Sequence, residues 1–262
     1  MKPQINFVLA LSNEAAPLIK YYDLKLIHHY PFKVFKNKNF SLIISGVGFN
    51  LVKKACIYLS KLSNSHPYTV WLNIGTGGHF SFNIGDIFLA HKVIDEKSSK
   101  IYYPPQILKV KLPSAVIKTI RKPSDKYQED KIFDMEAFGF FEICSKLSIL
   151  EFVQSVKIIS DNKDSPNFNN KKIELLITNS LNIINELINE LYFLSKKQCS
   201  LVLPNELLEK FLNNWHFTFT QIHQLKKILN KLRLLRPNID PFKKVFFCKE
   251  SKELIKLLES EI

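Results

Sequence analysis

Residues 69–78 read TVWLNIGTGG, an apolar run that ends in a glycine-rich segment. A run of this length with β-branched and aromatic residues predicts a buried strand from Thr69 to Gly75. The segment Gly75-Thr76-Gly77-Gly78 then predicts a turn. Because glycine has no Cβ, the backbone of such a turn can approach a ligand closely.

Similar apolar runs flank this stretch and predict four further strands, at Ile5–Leu11, Phe40–Ser45, Asp86–Ile94 and Phe152–Ser160. Helical periodicity predicts helices at Asn50–Leu62, Asp134–Leu147 and Asn170–Leu194. This alternation of helices with nearly continuous apolar strands predicts an α/β domain whose sheet is covered on both faces.

The character of the chain changes near residue 198. Residues 201–262 contain no glycine, and their pattern predicts a helix, a helix, a short strand and a helix. Thr218 and Gln221 have the spacing of a helix capping box. We therefore expect two domains, an α/β domain over residues 1–198 and a mostly helical appendage of unknown role over residues 199–262.

Composition favours a globular protein, with 46% hydrophobic and 23% charged residues among 262. No apolar run approaches the roughly 20 residues that span a bilayer, so no membrane partner is expected. The formal net charge of +13 raises the alternative of nucleic-acid binding, but only three of the 37 basic residues are Arg. Since Arg is the residue best suited to phosphates and base edges, a nucleic-acid role is not favoured; it would show as binding that weakens steeply with salt.

The four cysteines, Cys56, Cys144, Cys199 and Cys248, are far apart and form no CxxC motif. They indicate reduced, buried thiols in a cytoplasmic protein rather than a metal site. At the N-terminus, the short apolar run and the charged Glu14 that follows it favour a first core strand over a signal peptide.

Polar residues gather where the predicted strands end. Ligands of open α/β sheets bind at the carboxyl ends of the strands, so these residues are the candidate site. They are Glu14, Ser45 with its turn Ser45-Gly46-Val47-Gly48, Asn73 to Gly78, Asp134 and Glu136, and Ser160-Asp161. Each carboxylate alone is also explained by helix capping. Glu14, Glu136 and Asp161 come from three well-separated segments of the chain, and an α/β fold could bring these three acidic side chains together.

The order of these motifs resembles the purine nucleoside phosphorylase/nucleosidase superfamily, and most closely its methylthioadenosine/adenosylhomocysteine nucleosidases, over about residues 4–195. The motifs that carry the resemblance are Ala10-Leu11-Ser12-Asn13-Glu14-Ala15, Ser45-Gly46-Val47-Gly48, Asn73-Ile74-Gly75-Thr76-Gly77-Gly78, Ile84-Gly85-Asp86, Asp134-Met135-Glu136-Ala137 and Ile159-Ser160-Asp161. The resemblance implies a three-layer α/β/α sandwich with a central mixed sheet.

The resemblance also implies cleavage of the N-glycosidic bond of a purine nucleoside, without metal or organic cofactor. Asp161 matches the acid that protonates the purine, and Ser160 matches the hydroxyl that orients it. Glu14 matches the base that activates water. Glu136 matches the carboxylate that binds the ribose hydroxyls, and Met135 the residue that packs on the sugar. Asp134 is expected beside them, and Ser45, Gly46, Thr76, Gly77 and Gly78 line the ribose and nucleophile side.

Some features depart from the family. The segment between Asp95 and Asp134 is short, and no residue in it matches the Phe that stacks on the purine, although Tyr102 and Tyr103 offer a substitute wall. Gly77 stands where Ala is usual, and Lys157 where Arg is common. The segment Lys122-Pro123-Ser124-Asp125 is similar to phosphorylases that act on adenosyl-linked lipids.

Three functions therefore stay open: a nucleosidase acting on methylthioadenosine or adenosylhomocysteine, a phosphate-dependent phosphorylase, and a non-catalytic nucleoside-binding or scaffold protein. The absence of Arg before Arg121 favours water over phosphate as the nucleophile. His79 and His91 are expected to be structural. The family also implies a homo-oligomer as the working form.

Overall fold

A computed structural model of the chain describes residues 2–122, 130–165, 170–201 and 204–262. The chain divides into two compact units, one formed by Pro3–Ser195 and one formed mainly by Lys196–Ile262. The boundary predicted at residues 198 and 199 lies inside a single long helix, Asn170–Leu201. Pro123, Ser124 and Asp125, which carry the likeness to the lipid-linked phosphorylases, lie outside the described residues.

The first unit contains ten strands within the described residues. In chain order they are β1 (Ile5–Leu9), β2 (Lys25–His28), β3 (Lys33–Lys36), β4 (Phe40–Ile44), β5 (Val70–Gly78), β6 (Ile87–Asp95), β7 (Ile101–Tyr102), β8 (Ser114–Thr119), β9 (Ile132–Asp134) and β10 (Val153–Asp161). The helices of this unit are α1 (Ser12–Tyr21), α2 (Phe49–Leu62), α3 (Ala137–Leu147) and α4 (Asn170–Leu201), of which the residues from Lys196 onward belong to the second unit; a short 3-10 turn lies at Leu150–Phe152.

The strands form one mixed sheet in the order β10-β6-β8-β9-β5-β1-β4-β3-β2, with β7 paired to β6. Strand β10 pairs in parallel with β5 and antiparallel with β6. Strands β5, β9, β8, β6 and β10 therefore close into a ring. The ring places β9 and β10 on either side of the last residues of β5.

Two hydrophobic cores lie on opposite faces of the sheet. On one face Phe7 and Leu9 pack with α1 and α4, and on the other Val8 and Trp71 pack with α2 and α3. Because alternate residues of a strand point to opposite faces, the nearly continuous apolar runs fill both cores. The prediction of a three-layer α/β/α sandwich with a mixed sheet is confirmed.

The structure corrects three predictions of local structure. Residues 75–78 do not form a turn but continue β5, because each of them pairs with a residue of β10. Asp134 does not begin a helix but ends β9, and α3 begins at Ala137. The strands β2, β3, β7, β8 and β9 are absent from the sequence-based assignment because their short, polar-interrupted runs give little apolar signal.

The second unit has its own core, built from α5 (Asn205–Asn214), α6 (Phe219–Leu235), α7 (Pro241–Val245) and α8 (Ser251–Ser260). Thr218 and Gln221 form the predicted capping box at the start of α6. The leucine stripe of α6, including Leu225, Leu229 and Leu232, is buried in this core. The predicted short strand is wrong in the described part of this unit, where α7 and α8 are both helical. Among the described residues, no helix combines the length and apolarity needed to cross a bilayer.

Candidate active site

The last four residues of β5, Gly75 to Gly78, are the backbone around which the candidate site is built. Thr76 contacts Glu14 from α1, Gly77 contacts Ser160, and Gly78 lies beside Asp161 in the register with β10. On its other edge, Gly78 pairs with Phe133 of β9, next to Asp134. Four separate chain segments therefore meet along this strand end.

Glu14 is buried at the start of α1, and both of its carboxylate oxygens are occupied. Oε2 accepts hydrogen bonds from the backbone N–H groups of Ala10 (3.1 Å) and Leu11 (3.0 Å). Oε1 accepts from the backbone N–H of Thr76 (2.9 Å) and from its hydroxyl (3.1 Å). Glu14 thus caps its helix and ties β1 to β5. Since a carboxylate offers about four acceptor positions, a water could bind it only in place of one of these donors.

Asp134 and Lys157 form a buried ion pair. The ammonium nitrogen of Lys157 lies 2.8 Å from Oδ2 of Asp134, and both side chains are almost fully buried. Oδ1 of Asp134 accepts a hydrogen bond from the Thr119 hydroxyl at 2.6 Å, and Oδ2 accepts from the backbone N–H of Ala137 at 2.7 Å. Asp134 therefore fixes the start of α3 and holds Lys157 at the middle of β10.

Besides its ion pair with Asp134, Lys157 also lies near Glu14. A Cβ placed on Gly75 would lie 3.1 Å from Oε1 of Glu14 and 3.4 Å from the Lys157 nitrogen, so both groups lie against the same glycine. Burial lowers the pKa of Lys157, but the charges of Asp134, Glu136 and Glu14 outweigh it and the pKa is raised. Lys157 is therefore a fixed cation at neutral pH.

Glu136 links this cluster to the first glycine turn. Its Oε1 accepts a hydrogen bond of 2.6 Å from the backbone N–H of Gly48, the residue that precedes α2. Gly48 has a φ of 110°, which favours glycine. Burial raises the pKa of Glu136 to about 7; Lys157 opposes this change, and Asp134 and Glu14 add to it. Near neutral pH the Glu136 carboxyl group can therefore exist in either protonation state.

Ser160 and Asp161 end β10 on the far side of β5. The Ser160 hydroxyl donates to Oδ1 of Asp161 at 2.5 Å and is 3.5 Å from the carbonyl oxygen of Gly77. Ser160 is buried and Asp161 is partly exposed. A serine that donates to one oxygen of a partly exposed carboxyl group fixes the orientation of that group.

The first glycine turn joins the site through β1. Ser45 is buried, and its hydroxyl donates to the carbonyl oxygens of Gly46 (2.8 Å) and Leu9 (3.3 Å). Gly46 has a φ of 75°, and its N–H donates to the carbonyl oxygen of Ala10 at 3.1 Å. Ala10 in turn binds Glu14 through its own N–H. The Ser45 hydroxyl is therefore used to hold the turn.

The structure thus brings most of the predicted site residues together. Along the end of β5 lie Glu14, Asp134, Ser160, Asp161, Thr76, Gly77 and Gly78. Glu136 joins them through its charge interactions with Lys157, Asp134 and Glu14, and it binds Gly48. Ser45 and Gly46 adjoin them through β1, and Met135 lies partly buried between Asp134 and Glu136. Lys157 is the residue that the sequence-based set omits. Its signal is a single charged residue inside the apolar run of residues 152–160.

His79 follows Gly78 and has a structural environment. Its Nδ1 accepts hydrogen bonds from the backbone N–H groups of Ser81 and Phe82, and its ring stacks on Phe82 with centroids 3.6 Å apart. Burial lowers the pKa of His79, although Asp130 opposes this effect. A neutral imidazole that binds two backbone groups holds the turn after β5.

The two tyrosines considered for a purine wall have other contacts. Tyr102 packs against Phe138 and Phe141 in the core, with ring centroids 5.2 and 5.9 Å apart, and Tyr103 lies under the ammonium group of Lys92. Arg121 pairs with Asp95 and stacks on the ring of Phe49.

No protein-family model matches the chain, and no curated protein matches it by sequence. Solved structures do match. The methylthioadenosine/S-adenosylhomocysteine nucleosidase of Colwellia psychrerythraea in complex with adenine is 17% identical, with a TM-score of 0.61, and the match covers 73% of this chain and 96% of that one. The methylthioadenosine nucleosidase of Arabidopsis thaliana in its apo form gives the same four values.

A mutant of the futalosine hydrolase of Helicobacter pylori is 13% identical, with a TM-score of 0.57 and coverage of 72% of this chain and 100% of that one. These matches cover 72% to 73% of this chain, which is about the share of the chain that the α/β unit makes up. The fold expected from the order of the sequence motifs is therefore confirmed: the chain has the fold of the methylthioadenosine/adenosylhomocysteine nucleosidases.

Proposed function

We propose that this protein is a purine nucleosidase that hydrolyses the N-glycosidic bond of adenosyl nucleosides such as methylthioadenosine or adenosylhomocysteine. The observation that carries the proposal is the contact of Glu14 and of Ser160-Asp161 with the end of β5, with Glu136 close enough to Glu14 and Lys157 to interact with their charges. Two residues of a strand span about 7 Å, so Thr76, which binds Glu14, and Gly78, which pairs with Asp161, are close enough for one nucleoside to reach both carboxyl groups.

Asp161 is the proposed general acid. A purine is a poor leaving group as an anion, so a proton delivered to its ring as the bond breaks lowers the barrier. The Ser160 hydroxyl, 2.5 Å from Asp161, orients the carboxyl group for this transfer. In the proposed step, the electrons of the C1′–N bond pass to the purine, and the Asp161 proton neutralises it.

Glu136 is the proposed sugar-binding carboxylate. Its ionised form accepts hydrogen bonds from ribose hydroxyls, and negative charge beside the ring stabilises the positive charge that develops on the sugar. The backbone N–H of Gly48 fixes one of its oxygens. Met135 packs against the sugar in this proposal, and the glycines of β5 let the sugar approach the strand.

Glu14 is the proposed base for the attacking water. The water replaces the Thr76 hydroxyl on Oε1, because this is the only side-chain donor to Glu14 among the described contacts and can rotate away. The remaining three donors are backbone N–H groups that hold the carboxylate still. The water oxygen bonds to C1′, and its proton passes to Glu14.

The charge of the site supports water rather than phosphate as the nucleophile. Three carboxyl groups, Glu14, Asp134 and Glu136, surround one cation, Lys157, and the ammonium group of that cation is already bound to Asp134. Arg121, which is the first Arg in the sequence, is paired with Asp95. A phosphate dianion bound here would be repelled by the net negative charge of the site. Its binding would therefore be unfavourable unless further cations bound with it.

The test is to incubate the purified full chain with methylthioadenosine and with adenosylhomocysteine, with and without phosphate, and to measure free adenine. Adenine release without phosphate supports the nucleosidase, release that requires phosphate supports a phosphorylase, and binding without release supports a nucleoside-binding protein. We also propose a role in methionine salvage and, by analogy with the family, a homo-oligomeric working form. A cytoplasmic location is part of the same proposal, and it is consistent with four buried cysteines that form no disulfide.

A further inference from the structure

The second unit holds two phenylalanines in solvent within a basic segment. Residues 241–249 read PFKKVFFCK and contain three Lys and no acidic residue. Phe246 is 70% exposed and Phe247 is 62% exposed. Lys243, Lys244 and Lys249 are also exposed. These five side chains are named here the Phe-Lys surface.

The exposure of the two rings is imposed by a fixed backbone. Val245 and Cys248, on either side of the pair, are buried in the core of the second unit. The N–H of Cys248 donates to the carbonyl oxygen of Val245 at 2.9 Å, and the indole N–H of Trp215 donates to the carbonyl oxygen of Cys248 at 2.7 Å. Because both neighbours point inward and are anchored, the two Phe side chains are held outward.

Asp240 and Glu250 bound this segment in the sequence, but of its three lysines only Lys244 forms an ion pair among the described residues. Lys244 pairs with Glu261 at 3.1 Å, and Asp240 accepts hydrogen bonds from the first backbone N–H groups of α7. Lys243 and Lys249 make no ion pair within the described residues. A partner that fits this surface must offer negative charge at its boundary and an apolar interior for two rings.

We propose that the Phe-Lys surface binds reversibly to membranes that contain anionic lipid. A bilayer interface combines anionic headgroups with an apolar layer directly beneath them. Single-stranded nucleic acid also combines charge with apolar faces, but its bases stack on rings that lie parallel to them. The rings of Phe246 and Phe247 are 6.0 Å apart and inclined at 83°, so they do not form a common stacking platform, whereas acyl chains accommodate rings in any orientation.

The proposal departs from the expectation from the sequence, which was that the protein has no membrane partner because no segment is long and apolar enough to span a bilayer. Attachment to a surface needs no spanning segment. One pair of rings with three lysines is a weak anchor, so the proposed binding is reversible and depends on lipid charge. It is independent of whether the α/β unit hydrolyses nucleosides.

The test is sedimentation of the full chain with vesicles of phosphatidylcholine alone or with about 30% phosphatidylserine, a charge density sufficient to attract basic segments. We expect binding to the anionic vesicles only, reduced at high salt. The Phe246→Gln/Phe247→Gln variant should bind at least about tenfold more weakly, since it loses two buried apolar side chains. The Lys243→Gln/Lys249→Gln variant should lose the preference for anionic vesicles.

A matched control distinguishes binding by the Phe-Lys surface from nonspecific binding by exposed apolar side chains elsewhere. The Leu175→Gln/Phe193→Gln variant removes two apolar side chains of similar exposure, 59% and 65%, from α4, and it should bind like the wild type. Two outcomes would overturn the proposal. One is wild-type protein that does not sediment with anionic vesicles. The other is a loss of vesicle binding in the Leu175→Gln/Phe193→Gln variant equal to that in the Phe246→Gln/Phe247→Gln variant. Retention of a single-stranded RNA that depends on Phe246 and Phe247, without vesicle binding, would assign the surface to nucleic acid instead.

Discussion

The ammonium nitrogen of Lys157 lies 2.8 Å from Oδ2 of Asp134, and neither side chain has appreciable contact with solvent. This pair joins β10 to β9 across the end of β5. It also supplies the positive charge that lets Glu14 and Glu136 lie nearby as buried carboxyl groups.

Replacing Lys157 with Met should destabilise the protein by about 3–5 kcal/mol, because it leaves Asp134 as an unpaired buried charge. Urea denaturation followed by circular dichroism measures the change. Lys157→Arg keeps the charge and serves as the control, with a smaller loss expected. A Lys157→Met variant as stable as wild type would show that the pair does not hold these strands together.

Gly75 and Gly77 should respond differently to alanine, although both lie in β5. A Cβ on Gly77 would lie 2.7 Å from Cγ2 of Ile132 and 2.9 Å from the carbonyl oxygen of Phe133, so Gly77→Ala must displace the backbone of β9. We expect it to cost about 1–3 kcal/mol of stability. A Cβ on Gly75 mainly meets the Glu14 carboxylate, so Gly75→Ala should lower adenine release more than stability. Equal effects of the two variants on stability would contradict this distinction.

The raised pKa of Glu136 predicts how stability changes with pH. A carboxyl group whose pKa is 4.5 when unfolded and about 7 when folded binds its proton more tightly in the native state. Its contribution therefore falls as pH rises from about 4.5 to 7. Glu136→Gln cannot titrate, so its stability relative to wild type should increase over that window. Parallel stability curves for the two proteins would contradict the raised pKa.

The same titration predicts a pH dependence of activity. If the ionised form of Glu136 accepts the ribose hydroxyls, kcat/KM for methylthioadenosine should decrease as pH falls below about 7. Glu136→Gln should have low activity across this range, since a neutral amide provides no charge to the sugar. Activity of wild type that is constant from pH 8 to about 5.5 would remove the charge of Glu136 from the mechanism.

The sequence predicted the parts of this architecture that have strong local signals. The apolar runs of β1, β4, β5, β6 and β10 and the periodic helices α2 and α4 are recognisable, and the polar residues at the ends of two of those strands include Glu14 and Asp161. Glu136 was expected at a helix start and lies just after β9, a strand that was not predicted. The continuation of β5 through Gly75 to Gly78 was not predictable. These glycines have low strand propensity, and they stay extended because β10 pairs with all four of them and β9 pairs with Gly78 on the other edge.

Lys157 shows the same limit at the level of the site. Alone, a lysine in an apolar run indicates an edge or a solvent-facing position. Its partner Asp134 is 23 residues away in sequence and lies on β9, a strand of three residues. Only the closed ring of β5, β9, β8, β6 and β10 places the two side chains together.

The central claim is that Asp161 donates a proton to the departing purine. The most direct measurement compares adenine release from methylthioadenosine by wild type, Asp161→Asn and Asp164→Asn, an exposed carboxyl group three residues away. We expect Asp161→Asn to lose about two to four orders of magnitude in kcat and Asp164→Asn to keep wild-type activity. Undiminished adenine release by Asp161→Asn would contradict it.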